Sequence, residues 1–387
     1  ILYRRIRFIT STIRLGKEQR IGGDTKRRWM NVLLIAFGQK KMFRRPIAAL
    51  LHLLIYVGFI IINLEVLEFI IDGLSGQHRF FAKVLQNWYP TETGYNAFYN
   101  ILMNGFEVLT AGVIIACIIF LVRRNVLKIR RFTGIEMTRW PLLDANLILI
   151  FEIILMTAIL TMNGADQALQ NLGSEGYINT GTLYISHKII MPIVENMNAG
   201  QLIIIERFCW WFHIIGILGF AVYVTYSKHL HIVMAFPNTY FGNLAPPSTM
   251  DNMPEVMNEV KVMLGLQTSE TGMQEEIARF GVKDITDLTW KNIMDAFTCT
   301  ECGRCTSVCP ANMTGKKLSP RKIIMDVRDR AEIIGRTGNR DHSGSLFDQI
   351  SKEEIFACTT CNACIDSCPV SIDPVTVILG LRRYIAR

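Results

Sequence analysis

Two cysteine-rich stretches near the end of the chain carry its most specific chemical signal. The first reads CTECGRCTSVCP and begins at Cys299, and the second reads CTTCNACIDSCP and begins at Cys358. Both follow the pattern C-x2-C-x2-C-x3-C-P. Three thiolates at intervals of three can surround one [4Fe–4S] cluster, while the last cysteine faces away and ligates the other cluster of a pair.

This exchange of the last cysteine predicts two ligand sets. One cluster is expected on the first three cysteines of the first motif and the last of the second, and the other on the reverse combination: Cys299, Cys302, Cys305 and Cys368; Cys358, Cys361, Cys364 and Cys309. Zinc is the alternative, but zinc sites use two CxxC pairs and give no reason for a third cysteine or the proline.

Cysteine usage also indicates the redox compartment. Of ten cysteines, eight lie in the two motifs, while Cys117 and Cys209 fall in apolar stretches. Clustering of this kind is typical of metal ligation in a reducing compartment rather than of a disulfide framework.

The residues before the motifs are apolar enough for a membrane protein, since 50% of the 387 residues are hydrophobic. Four segments reach the about 20 residues that cross a bilayer: 46–71, 101–122, 142–162 and 202–235. Buried helices of a large soluble core are the alternative.

Lysine and arginine set the predicted orientation. Thirteen of them lie in 4–45 and six in 123–139, whereas 72–97 and 166–201 hold only Arg79, Lys83 and Lys188. By the positive-inside rule the first two stretches are cytoplasmic. The fourth span then leads into the cytoplasm, and the sequence predicts a multi-pass protein of the cell inner membrane.

The basic N-terminal segment, 1–45, is predicted to lie at the cytoplasmic face. Its opening residues, ILYRRIR, are interpreted as the last turn of a truncated earlier span, which would make five. A basic arm on anionic lipid is the alternative. Residues 26–44 fit an amphipathic helix on the membrane surface.

Histidines inside the predicted spans need polar partners. His52 lies in the first span, and His213, His229 and His231 lie in the fourth. At about 3.6 residues per turn, His213 and His231 share one helix face, whereas His229 points away. His52 and His231 lie at matched depth, as axial ligands of a haem require. Without a CxxCH motif, the haem would be b-type. A helix–helix hydrogen bond is the alternative role for each.

These histidines resemble those of the membrane cytochrome b of the nitrate reductase gamma-subunit superfamily over about 46–235. The resemblance implies a five-span cytochrome b and a second, outer haem on His213. The family's partner for that haem lies ten residues after the first histidine, where this chain has Ile62. His187 is the candidate replacement.

Glu107 and Glu152 also lie inside apolar spans. Each is a candidate proton acceptor for a quinol, and pairing with a neighbouring helix is the alternative.

A Pro- and Asn-rich linker, 236–284, is predicted not to continue the fourth helix. The following segment, 285–387, is predicted to be helical, with Ser319 capping a helix that begins at Pro320. It resembles the α-helical ferredoxin of heterodisulfide reductase C-type subunits, which implies an all-α fold with two [4Fe–4S] clusters.

The predicted whole is a transmembrane helical bundle, 46–235, with a cytoplasmic α-helical ferredoxin domain. It resembles a heterodisulfide-reductase-type cytochrome b fused to its C-type subunit. That resemblance implies electron transfer between the quinone pool, one or two haems b, two [4Fe–4S] clusters and a cytoplasmic cysteine-rich reductase subunit or flavoprotein. Membrane lipid is the other expected partner, and nucleic acid is not. The alternative is a redox-sensing or structural subunit of a larger membrane complex.

Overall fold

The computed structural model describes residues 1–88, 97–246, 249–250, 252–266, 280–338 and 343–386. Over these ranges the regular structure is helical, and one isolated bridge between Lys17 and Thr289 stands in place of a strand. The all-α prediction is therefore confirmed. Parts of the predicted linker and ferredoxin domain lie outside the described residues: 247–248, 251, 267–279, 339–342 and 387.

The described α-helices divide along the chain into two series. The first nine are α1 Leu2–Ile13, α2 Thr25–Asn31, α3 Pro46–Ser75, α4 Phe80–Trp88, α5 Ala97–Leu121, α6 Trp140–Asn171, α7 Tyr184–Ile189, α8 Met191–Val194 and α9 Ala199–Val224. The others are α10 His231–Tyr240, α11 Pro254–Met263, α12 Trp290–Thr298, α13 Arg304–Ser307, α14 Pro310–Met313, α15 Pro320–Thr337, α16 Lys352–Phe356, α17 Ala363–Ser367 and α18 Pro374–Ile385.

The chain forms two compact units. The span unit consists of Met42–Thr133 and Met137–Tyr223. The cysteine-rich unit consists of Ile1–Lys41, Gly134–Glu136 and Val224–Arg387. The N-terminal segment thus belongs to the same unit as the two cysteine motifs, although it is remote from them in sequence.

The span unit contains four helices that are long and apolar enough to cross a membrane: Pro46–Ser75, Ala97–Val126, Trp140–Asn171 and Ala199–Val224. The four predicted spans are confirmed, and each of the first three is longer than the apolar run that identified it. The third helix, for instance, runs on past residue 162 to Asn171 through the polar residues NGADQALQN. Hydropathy alone does not register that extension because polar side chains pack inside the unit there.

Close packing joins these helices. Helix α3 packs against α5, and α5 packs against α6. A Cβ on Gly58 would lie 2.6 Å from a Val113 methyl group, so only glycine permits this approach of α3 to α5. Phe212 and Ile217 of α9 pack on the same apolar cluster as Leu155 of α6.

The fourth span is shorter than predicted. Helix α9 ends at Val224, Ser227 is extended, and a 3-10 turn covers Lys228–Leu230 before α10 begins. The Ser227 hydroxyl accepts a hydrogen bond from the His229 N–H, which offers the backbone an alternative to the helix. The prediction that His213 and His231 share one face of a continuous helix is therefore wrong.

The predicted linker also begins too early. Helix α10 continues through Pro237 to Tyr240. Asn238, which follows that proline, is fully buried, and its amide nitrogen donates to Asp295 Oδ1 at 2.8 Å and to the Val370 carbonyl at 2.9 Å. These tertiary contacts stabilise a turn that proline disfavours locally.

The cysteine-rich unit has one apolar core, to which α12, α15 and α18 contribute. The predicted start of α15 is confirmed, since the Ser319 hydroxyl caps it by accepting from the Lys322 N–H. Helix α1 packs on α12 and α15. Its buried Arg5 donates to the Thr225 carbonyl at 3.1 Å and to Glu332 at 2.6 Å.

The predicted amphipathic helix over 26–44 is interrupted. Helix α2 continues into a π-helical stretch, Val32–Phe37, and the chain then turns at Gly38. Large apolar side chains of this stretch remain exposed: Trp29, Met30, Leu33, Leu34 and Phe37.

Candidate metal centre

The two cysteine loops have the same unusual backbone. In the first, Glu301 and Gly303 adopt positive φ angles of 53° and 68°, and in the second the corresponding Thr360 and Asn362 adopt 53° and 59°. Non-glycine residues seldom adopt this conformation. Each loop then enters a short helix, α13 or α17, so the repeat in sequence is a repeat in structure.

This backbone directs peptide N–H groups toward cysteine sulfur atoms. The Thr360 N–H donates to Cys358 Sγ at 3.4 Å, and the Glu301 backbone makes the matching hydrogen bond to Cys299. The Ile372 N–H donates to Cys368 Sγ at 3.3 Å. Such bonds stabilise thiolates and tune iron–sulfur reduction potentials.

Both motifs contribute to one cavity. It is lined by three cysteines of the first motif and the last two of the second: Cys299, Cys302, Cys305, Cys364 and Cys368. Cys309, the last cysteine of the first motif, lies within electrostatic reach of Cys358 and Cys364. Cys368 thus lies with the first motif and Cys309 with the second, which is the juxtaposition that ligand exchange requires; ligation itself stays a prediction.

The cysteines surround space rather than converge on a point. Among the described residues, no three His, Cys, Asp or Glu side chains form a group that could hold a single metal ion. A cubane binds each thiolate through a different iron, so its ligands are spread around it. The donor set and its arrangement fit a [4Fe–4S] cluster.

Burial makes these thiols poor acids on their own. It raises the pKa of Cys299 to about 12 and that of Cys368 to about 11. Iron binding must therefore displace the protons, so assembly of the clusters is coupled to metal loading.

Buried cations lie beside the first motif. Arg321 lines the cavity and donates to Glu136 Oε1 from Nη2 at 2.7 Å. Glu301 receives Lys228 at 2.5 Å and Arg328 at 2.8 Å. Burial acts to raise the pKa of Glu301, but these two cations outweigh it and lower that pKa. The carboxylate therefore stays ionised beside the cysteine loop.

The second motif is the more accessible one. Of the eight motif cysteines, all of which the structure describes, Cys361 alone is exposed. It borders a cavity of about 950 Å³ whose lining is rich in basic side chains: Arg20, Arg27, Arg28, Lys41, Lys291 and Arg383. Acidic lining residues are fewer: Asp295, Asp366 and Asp373.

The predicted haem ligands belong to different units. His52, in α3, and His213, in α9, lie in the span unit, and His187 lies exposed on α7. His229 and His231 belong to the cysteine-rich unit, where their ring centroids are 5.4 Å apart. The pairings of His52 with His231 and of His213 with His187 stay predictions.

His213 has the surroundings of a metal ligand. It is 1% exposed, its ring hydrogen-bonds to the Leu155 backbone, and its Nδ1 has no hydrogen-bond partner among the described residues. An axial histidine typically has one nitrogen held by a backbone carbonyl and the other directed at the metal.

Of the two predicted proton acceptors, Glu107 has a structural role. It is buried and accepts from the backbone N–H groups of Ile185 and Ser186 at 2.9 and 3.2 Å, as well as from the Ser186 hydroxyl. It thereby satisfies free N–H groups at the start of α7. Glu152 is half-buried on α6.

The sequence analysis missed a larger polar cluster in the span unit. Fully buried Arg79 is surrounded by carboxylates that the sequence places on two different spans: Glu65, Glu68 and Asp166. The available signal was the set of acidic residues within otherwise apolar helices, which usually mark functional or paired sites.

Comparison with known proteins agrees with this geometry. Residues 298–372, which include both motifs, match the 4Fe-4S dicluster domain family. The match supports iron–sulfur clusters as the cofactors of this unit.

Longer similarities extend over nearly the whole chain. The chain is 28% identical to the probable iron-sulfur-binding oxidoreductase FadF of Bacillus subtilis, over 96% of its own length and 52% of the relative. It is 23% identical to the EtfAB:quinone oxidoreductase of Syntrophomonas wolfei, over 90% of its length and 48% of the relative. The chain thus spans about half the length of these relatives.

A shorter similarity covers the cysteine-rich part. Over 24% of the chain and 48% of the relative, it is 33% identical to a C-type subunit of the ferredoxin:CoB-CoM heterodisulfide reductase of Methanosarcina mazei. No solved structure matches the chain. The relatives support an electron-transfer role in association with a protein redox partner.

Proposed function

We propose that the chain is a membrane-bound electron-transfer subunit. It passes electrons between the quinone pool, haem b, two [4Fe–4S] clusters and a cytoplasmic redox partner. The observation that carries the proposal is the meeting of two dicluster-type cysteine motifs around one cavity, in a chain that also has four membrane-length helices.

The clusters supply one-electron transfer when they are bound. Cys299, Cys302, Cys305 and Cys368 would hold one, and Cys358, Cys361, Cys364 and Cys309 the other. The matched backbones of the two loops and the N–H groups directed at sulfur support this assignment.

His52 and His231 would hold a haem b, and His213 would hold a second one with His187. The buried, unpartnered Nδ1 of His213 supports the second site. The quinone would be a membrane quinone, as the name of the Syntrophomonas wolfei relative suggests. Basic connections place the cysteine-rich unit in the cytoplasm by the positive-inside rule.

The soluble partner would be a flavoprotein or a cysteine-rich reductase subunit, either of which carries its own redox centre. Exposed Cys361 and the basic cavity beside it support docking of an acidic surface near the second cluster.

A reduced-minus-oxidised spectrum with an iron and haem count tests the cofactor content. We expect about eight cluster irons per chain, four for each of two cubanes, and a b-type haem signal. His52→Ala and His231→Ala should each abolish the same haem signal, whereas His229→Ala should retain it. Loss of that signal in His229→Ala but not in His231→Ala would refute the ligand assignment.

The second candidate function is redox sensing or a structural role within a larger complex. The Glu301 ion pairs, buried beside a cluster motif, favour it because they could stabilise a fold that depends on the cluster. Clusters that change oxidation state in protein lacking haem and quinone activity would support the sensor.

A further inference from the structure

A buried carboxylate cluster occupies one end of the first and third spans. Glu65, Glu68 and Asp72 lie on α3 at spacings of three and four, so they share a helix face. Asp166 approaches from α6, and Arg79 enters from the segment that follows α3. All of these residues belong to the span unit.

Three of the four carboxylates have donors at both oxygens. Asp72 accepts from the backbone N–H groups of Arg79 at 3.0 Å and Phe80 at 2.9 Å. Glu68 accepts from the Phe81 N–H at 2.9 Å and from the Tyr99 hydroxyl at 2.7 Å.

Asp166 is the principal partner of Arg79. Its Oδ2 accepts from Arg79 Nε at 3.0 Å and Nη2 at 2.8 Å, and its Oδ1 lies 2.8 Å from His78 Nε2. Donors of this kind stabilise a carboxylate in its ionised form.

Glu65 differs from the other three. Its side chain is 0% exposed, and its Oε1 accepts from Asn163 Nδ2 at 3.2 Å. Arg79 Nη1 is farther away, at 3.7 Å. Among the described residues, Glu65 Oε2 has no hydrogen-bond partner. The charged groups that act on Glu65 are Arg79, Glu68 and Glu107.

The charges of the cluster do not balance if every acid is ionised. Four carboxylates then surround one guanidinium, with His78 as the remaining basic group. Burying an uncompensated charge is expensive, and neutralisation of one carboxylate relieves that cost. The carboxylate with the fewest donors gains least from ionisation, and that is Glu65.

We propose that Glu65 holds a proton in the resting protein and donates it to a membrane quinone as the quinone is reduced. The proposal deepens the quinone part of the proposed function and rests on it. Two electrons from the reduced clusters, delivered one at a time, and two protons convert the quinone to a quinol. Glu65 gives up one proton, takes another from water, and gives up that one as well. Arg79 stabilises the carboxylate between the two transfers.

The protonation state can be measured without any quinone. Infrared spectra of the full chain in lipid nanodiscs should show a protonated carboxylic C=O band that shifts in D2O. We expect Glu65→Gln to remove this band, Glu65→Asp to retain a shifted band, and Glu68→Gln to leave it in place. A band unchanged in Glu65→Gln overturns the proposal.

The proton transfer is measured by mixing reduced clusters with a short-chain naphthoquinone in a stopped-flow instrument. General acid catalysis typically contributes about 100-fold or more, so Glu65→Gln should slow cluster reoxidation by about that factor, and Glu65→Asp should recover part of the rate. Exposed Glu195→Gln is the matched control and should keep the wild-type rate. Iron content and melting temperature verify that each variant is folded.

The outcomes separate the two claims. A wild-type rate in Glu65→Gln overturns the proton-donor role while leaving quinone reduction intact. Wild-type clusters that quinone does not reoxidise overturn the proposed function and the donor role with it. The infrared band then still decides whether Glu65 is protonated.

Discussion

Cys309 ends the first cysteine motif but lies near cysteines of the second. Its electrostatic neighbours are Cys358 and Cys364, whereas Cys299, Cys302 and Cys305 line the cavity with Cys368. A cysteine that serves the other motif's cluster couples the two loops, so neither cluster can be complete without the fold of the whole unit.

Replacement of Cys309 tests this exchange. We expect Cys309→Ser to destabilise the cluster bound by the second motif and to leave the other in place, which halves the cluster content. Electron paramagnetic resonance with an iron count distinguishes the two clusters. Cys117→Ser, in a membrane span, is the matched control and should keep both. Loss of the first-motif cluster instead would contradict the assignment.

Residue spacing predicted the cysteines well because iron–sulfur ligation is a local constraint on sequence. The cluster around Arg79 was not predicted, since its acidic partners come from two helices that meet only in the folded unit. Glu107 could be selected from sequence as an acid inside a span, but its contact with the start of α7 could not.

At the scale of elements, the clearest difference lies where α9 gives way to α10. Apolar composition continues past Val224, so hydropathy alone predicts one long helix. Local bonding at Ser227 ends the helix instead, and buried contacts of Asn238 continue α10 past a proline. Hydropathy reports that a segment is apolar, and side-chain hydrogen bonds decide where it bends.

The Asn238 contacts give a prediction about stability. Asn238→Ala leaves Asp295, Lys291 and the Val370 carbonyl each without a buried partner. Unsatisfied groups of this kind cost about 2 kcal/mol, which lowers the melting temperature by roughly 4–8 °C in a unit of this size. Thermal loss of cluster absorbance measures the effect.

Exposed Asn243 provides the control for that experiment. Asn243→Ala should melt within about a degree of wild type, since surface substitutions rarely exceed about 0.5 kcal/mol. Equal melting of Asn238→Ala and wild type would show that the α10 contacts do not stabilise the unit.

At the scale of the whole molecule, the chain can move electrons but needs a partner to begin or end their path. The basic cavity beside Cys361 has the charge that attracts an acidic protein surface. Transient redox contacts are small, with less than about 1,200 Å² buried, so charge contributes strongly to them.

Charge reversal at two exposed arginines tests this docking surface. We expect Arg20→Glu with Arg27→Glu to reduce co-purification of redox proteins with the full chain and to weaken its salt dependence. Mass spectrometry of the detergent-purified complex measures the change. Arg336→Glu, on the exposed side of α15, should leave it unchanged. A chain that purifies alone and still oxidises a soluble substrate contradicts the need for a partner.

The central claim is that electrons pass between a membrane quinone and the two clusters. It is tested most directly by poising anaerobic, full-length protein in nanodiscs with naphthoquinone–naphthoquinol mixtures and measuring the reduced-cluster resonance. The account predicts that this signal follows the quinol fraction, and that Cys305→Ser removes one component of it. Clusters that dithionite reduces, but that no quinone–quinol mixture reduces or reoxidises, would contradict the account.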